Sequence, residues 1–125
     1  MSDHTALVER YLAAWNETDH AARRALLARV FSPDATYVDP VMRGDGHDGI
    51  DVLIAGVHAR FPGFRFALAR PVESQPGYAR FAWRLGPADA PAVIEGSDFA
   101  RLDDDGRIAA VWGFIDRLPD DAVAA

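Results

Sequence analysis

Apolar positions recur at helical spacing in three early stretches and at strand spacing through the rest of the chain. Leu7, Val8, Tyr11, Leu12 and Trp15 share one face of a helix over about residues 4–16. Residues Asn16 to Asp19 interrupt it. Thr18 or Asp19 caps a second helix reaching about Val30, with Leu26, Leu27, Val30 and Phe31 as its buried stripe. The triplet Ser32-Pro33-Asp34 ends that helix, and a short strand is expected over Ala35 to Asp39. MRGDGHDG, from Met42 to Gly49, reads as a loop. Asp48 caps a third helix, from about Gly49 to Arg60, with Ile50, Leu53, Ile54, Val57 and Phe61 at helical spacing until Pro62-Gly63 stops it. Four strands follow, roughly Phe64–Arg70, Tyr78–Leu85, Ala92–Leu102 and Arg107–Asp116, separated by PVESQPG, GPADAP and DDDG. The tail LPDDAVAA reads as frayed.

Helices grouped ahead of an antiparallel meander predict an α+β domain. Three N-terminal helices pack on one face of a curved, mostly antiparallel sheet and can enclose a pocket between the two layers. The 125 residues suggest one domain over 1–125, with its core at about 4–117.

Strand alternation sorts the polar residues. Between Ala92 and Leu102, one face carries Ile94, Gly96, Asp98, Ala100 and Leu102, and the other Val93, Glu95, Ser97, Phe99 and Arg101. Asp98 therefore falls on the smoother apolar face, where a carboxylate is costly unless paired or protonated. Two readings stand: a carboxylate satisfied by backbone or by an arginine such as Arg80 or Arg84, or a functional group. In the last strand, Ile108, Ala110, Trp112, Phe114 and Asp116 are expected on one face, with Asp116 at a strand end before Leu118-Pro119. Tyr11 lies in the apolar stripe of the first helix, where its hydroxyl needs a partner. Asp39, locked between Val38 and Pro40, is either turn chemistry or a carboxylate aimed from a strand end into the pocket.

Composition narrows the chemistry. There is no cysteine, so disulfides, thiol catalysis and thiolate metal sites are excluded. There is no lysine either, which removes Schiff-base chemistry. The four histidines, at 4, 20, 47 and 58, form no HxH or HExxH spacing, so no metal site is expected. A net charge of −6 without a basic cluster argues against nucleic acid as a partner. No apolar run is long enough for a membrane span, and MSDHTALVER has no secretory pattern, so a cytoplasmic protein is expected.

Four stretches in order carry a family resemblance: VERYLAAWNETD, LLARVFSPDATYVDP, GHDGIDVLIAGV and SDFARLDDDGRIAAVW. From about Ala6 to Asp116 the chain resembles the NTF2-like superfamily, in particular its SnoaL-like and ketosteroid-isomerase-like members. That resemblance implies a cystatin-like, cone-shaped fold with a pocket, cofactor-free chemistry on a small apolar carbonyl-bearing ligand, and a homodimer. Tyr11 falls where the isomerases carry an oxyanion-hole tyrosine, Asp39 on their general base, and Asp98 on a second donor kept protonated. The role scheme belongs to the ketosteroid isomerases, whereas the inward face of Asp98 follows from alternation alone. Val57 stands where some isomerases place a supporting tyrosine. Trp15, Met42, Val57, Phe81, Trp83, Trp112 and Phe114 are the expected apolar lining. A SnoaL-type aldol cyclase would instead use Asp116, near the end of VWGFID, and a non-catalytic ligand-binding or dimerisation module is the third reading.

Overall fold

The computed structural model describes residues 3–118. Pro119 to Ala125, most of the tail expected to fray, lie outside the described residues. Helices α1 (Thr5–Asn16), α2 (His20–Val30) and α3 (Gly46–Arg60) pack on a curved, open sheet. The strands are β1 (Phe31–Val38), β2 (Arg43–Asp45), β3 (Phe64–Leu68), β4 (Glu73–Gln75), β5 (Tyr78–Pro87), β6 (Ile94–Leu102) and β7 (Ile108–Arg117). Their order is β2-β1-β7-β6-β5-β3, with β4 paired to β5. All pairings are antiparallel except β1 with β7. Among the described residues, no helix is long and apolar enough to cross a membrane.

Local chemistry explains the boundaries. Asp19 caps α2, its carboxylate accepting from the Ala22 N–H at 2.9 Å. The first helix ends at Asn16, whose side-chain amide exchanges two hydrogen bonds with the backbone of Phe66, at 2.7 and 3.0 Å. His58 Nε2 donates to the Trp15 carbonyl at 2.7 Å and ties α3 to the end of α1. A buried Arg23–Asp51 pair at 2.6 Å joins α2 to α3.

Three changes to the expected elements shape the site. The first strand starts at Phe31, straight after α2, because Ser32-Pro33-Asp34 forms an irregularity inside it. The loop MRGDGHDG contains β2, and α3 begins at Gly46 rather than Gly49. The third concerns β7. Arg101 pairs with Ala110 but Leu102 pairs with Ile108, so Ala109 is an extra residue. Such a bulge shifts every later side chain to the opposite face. Beyond it, Val111, Gly113 and Ile115 turn toward the helices, while Trp112 and Phe114 are exposed. A second irregularity pairs Glu95 with Arg117 and Gly96 with Ile115, leaving Asp116 unpaired between them.

Candidate functional site

One cavity of about 540 Å³ opens between the helices and the inner face of the sheet. Its walls are mostly apolar: Leu12, Met42, Leu53, Val57, Phe66, Leu85, Ile94 and Ile115 contribute. Tyr11, Tyr37, Asp39, Trp83 and Asp98 add polar groups, and Arg60 lines it from the last turn of α3.

Asp98 stands on the inward face of β6, as alternation predicted, and is 3 % exposed. Its Oδ2 accepts from the Tyr11 hydroxyl at 2.7 Å and its Oδ1 from Trp83 Nε1 at 3.1 Å. Trp83 pairs with Gly96, and its indole lies across that glycine to reach Asp98 two residues further along β6. Neither arginine expected as its partner serves this carboxyl: Arg80 pairs with Glu73 at 2.6 Å and Arg84 with Glu95 at 3.6 Å. Burial pushes the Asp98 pKa up to about 6; the two donors pull it down, and the charges of Asp39 and Asp116 raise it slightly. Burial, with the neighbouring Asp98 charge, holds the Tyr11 hydroxyl well above the ordinary tyrosine range.

Asp39 follows β1 on the same side as Tyr37, two residues earlier. Its Oδ1 accepts from the backbone N–H groups of Val41 and Met42 at 2.8 and 2.9 Å, so it does cap the β1–β2 turn. Its Oδ2 accepts from the Tyr37 hydroxyl at 2.7 Å, and the residue lines the cavity. Turn chemistry and cavity placement therefore coexist in one residue. Burial first, then the charges of Asp98 and Asp39, push the Tyr37 hydroxyl far above its usual range.

Gly113 of β7 draws these groups together. A Cβ built there would lie 2.9 Å from Asp98 Oδ1, 3.1 Å from the Asp39 Cβ and 3.1 Å from the Tyr37 hydroxyl. Only a residue without a side chain lets both carboxyl groups and the tyrosine pack down on this strand.

Tyr11, Asp39, Asp98, Trp15, Met42, Val57 and Trp83 all line the cavity. Phe81, Trp112, Phe114 and Asp116 do not. Phe81 is buried behind Tyr11, ring edge to ring face at 5.2 Å. Trp112 and Phe114 lie on the outer face because of the Ala109 bulge, which simple alternation cannot detect. Asp116 is exposed and accepts from Ser97 Oγ at 2.5 Å. Tyr37 is not among the expected site residues; its place two residues before Asp39 on one strand face is the signal that points to it.

Residues 8–111 match the family model of the SnoaL-like domain. A crystal structure from Agrobacterium tumefaciens str. C58, named as a proposed isomerase of the SnoaL-like family, is 40 % identical, with TM-score 0.88 over 94 % of this chain and 100 % of that one. A proposed ketosteroid isomerase from Kribbella flavida DSM 17836 shares the fold at 18 % identity, with TM-score 0.68 over 93 % of this chain and 79 % of that one. A proposed SnoaL-like polyketide cyclase from Jannaschia sp. CCS1 does so at 17 %, with TM-score 0.66 over 90 % and 86 %. Among curated proteins, no sequence matches.

Proposed function

Since this chain belongs to the SnoaL-like family, we propose that its cavity binds a small apolar carbonyl compound and moves a proton beside the carbonyl through an enolate, without a cofactor. Asp39 is the base, and Tyr11 and Asp98 are the donors to the oxygen. One observation carries the reading: two carboxyl groups line one mostly apolar cavity, and burial raises the pKa of Asp98 to about 6 while Asp39 caps a turn.

The chemistry balances within these residues. Asp39 takes a proton from the carbon next to the carbonyl, and the C–H electrons pass into the enolate, leaving negative charge on oxygen. In the free protein, the Tyr11 proton is directed at Asp98 Oδ2. When a ligand displaces water, the carboxyl is driven further toward its neutral form. A protonated Asp98 is a donor itself and frees the Tyr11 proton for the ligand oxygen. Two such donors are each worth about 3 kcal/mol in comparable oxyanion sites. Asp39 then returns the proton to the far carbon of the conjugated system, which completes an isomerisation.

A specific observation favours a second reading. Three donors hold Asp39, two of them turn amides. A non-catalytic ligand-binding module would need no more of it than that. Ring closure through Asp116 draws no support from its exposed position outside the cavity.

Deuterium exchange into small β,γ-unsaturated ketones separates these readings. Asp39→Asn should slow exchange at least about 100-fold, the scale of a positioned acid–base group. Tyr11→Phe and Asp98→Ala should each slow it about 10- to 1,000-fold, and Asp116→Asn should leave it unchanged. Ketone binding without exchange in the wild type supports the module. Damage from Asp116→Asn alone supports the cyclase.

A homodimer through the outer sheet face completes the proposal. Tyr78, Phe99 and Trp112 form a chain of ring contacts there, at 5.6 and 6.0 Å, and Phe114 is exposed on the same strand face as Trp112. Glu95, flanked by Arg84 and Arg117, gives the face both signs of charge. That suits a second copy related by a two-fold axis.

A further inference from the structure

The Tyr37 hydroxyl has no part in the scheme above, yet it is built into the site. Tyr37 is 3 % exposed, and its ring packs 5.3 Å from the Trp15 indole. Its proton goes to Asp39 Oδ2 at 2.7 Å. The other oxygen, Oδ1, already accepts two backbone N–H groups. A carboxylate offers about four lone-pair sites, two on each oxygen. Those on Oδ1 are both taken, and Tyr37 takes one on Oδ2. A single acceptor site is left, and it is on Oδ2. The turn amides alone would hold only one end of the carboxylate. With Tyr37 on the other oxygen, both ends of the carboxylate are held. Gly113 provides the room, since the Tyr37 hydroxyl passes 3.1 Å from where its Cβ would stand.

We propose that Tyr37 is the positioning residue of the base: its hydrogen bond fixes the Asp39 carboxylate and leaves one lone pair of Oδ2 to take the substrate proton. This inference rests on the reading of Asp39 as the base. The cost of losing Tyr37 falls on proton transfer rather than on binding, because Tyr37 acts through Asp39.

The test uses the same ketone exchange, read as a pH profile. Tyr37→Phe keeps the ring against Trp15 and removes the hydroxyl. It should lower kcat roughly 10- to 100-fold, as loss of a hydrogen bond to a charged group does, and leave KM within about twofold. The acid limb of kcat should move to higher pH, because a donor to the charged form is gone. The other titratable or charged groups around Asp39 are Asp98 on β6, Tyr11 on α1 and Arg60 on α3, with Asp116 of β7 beyond Asp98; all stay in place. Fluorotyrosine at position 37, a stronger donor of nearly the same shape, should move the limb the opposite way. It also decides the matter if Tyr37→Phe does not fold. Opposite shifts cannot come from packing. An unchanged rate and limb in Tyr37→Phe, or shifts in one direction for both replacements, would overturn the inference while Asp39→Asn still abolishes exchange. Full exchange in Asp39→Asn, or none in the wild type, overturns the proton-transfer reading and this inference together.

Discussion

Tyr11 and Asp98 stand 87 positions apart in the chain and share a hydrogen bond of 2.7 Å inside the cavity. This pair makes stability depend on pH in a definite direction. Burial raises the Asp98 pKa from 3.8 to about 6, so the folded protein binds that proton more tightly than the unfolded chain does. The favourable contribution is complete below about pH 4 and is lost as pH rises through about 6. Asp98→Asn keeps an acceptor for Trp83 and a polar partner for Tyr11 but cannot ionise. It should exceed the wild type in stability at pH 7 by up to about 2–3 kcal/mol and match it near pH 4. Urea titrations at pH 4, 5.5 and 7 check this. A variant equally destabilised at all three values would show that the carboxyl matters for its shape and not its charge.

Gly113→Ala tests whether the polar cluster has room to spare. The new methyl would sit 2.9 Å from Asp98 Oδ1, which Trp83 already holds. The cluster must open, at a cost of about 1–3 kcal/mol for an overpacked site. Ketone exchange should fall with it. Wild-type stability and exchange in this variant would mean that the three groups are loosely held.

Helix α3 offers an adjacent pair with different expected costs. Ile54 is fully buried, whereas Leu53 is half-buried and lines the cavity. Ile54→Ala should cost about 2–5 kcal/mol, as core truncations do. Leu53→Ala should cost less than about 2 kcal/mol and should admit a bulkier ketone. Thermal melts of both variants give the ranking, and the reverse order would mean that the helix is rotated from its described face.

Phe114, 58 % exposed, addresses the proposed homodimer. Phe114→Asp places a charge amid the outer-face aromatics and should convert a dimer to a monomer in gel filtration at micromolar concentration, with the fold intact by circular dichroism. A wild type that already elutes as a monomer removes the proposal.

What the sequence determined by itself was local. The 3.6-residue recurrence through Tyr11 and Trp15, and the two-residue recurrence through Ile94, Gly96 and Asp98, are properties of neighbours along the chain. They sufficed for the three helices, the long strands and the inward face of Asp98. The short strands β2 and β4 escaped because three residues each carry no period. Only the tertiary structure decided which way Trp112, Phe114 and Asp116 point. Alternation assumes an unbroken ladder, and the extra residue at Ala109 exists only relative to its partner strand β6. The same holds for Gly113, Tyr37 and the two carboxyl groups. Their meeting depends on β7 lying between β1 and β6, an arrangement set by pairing between distant segments that no local pattern encodes.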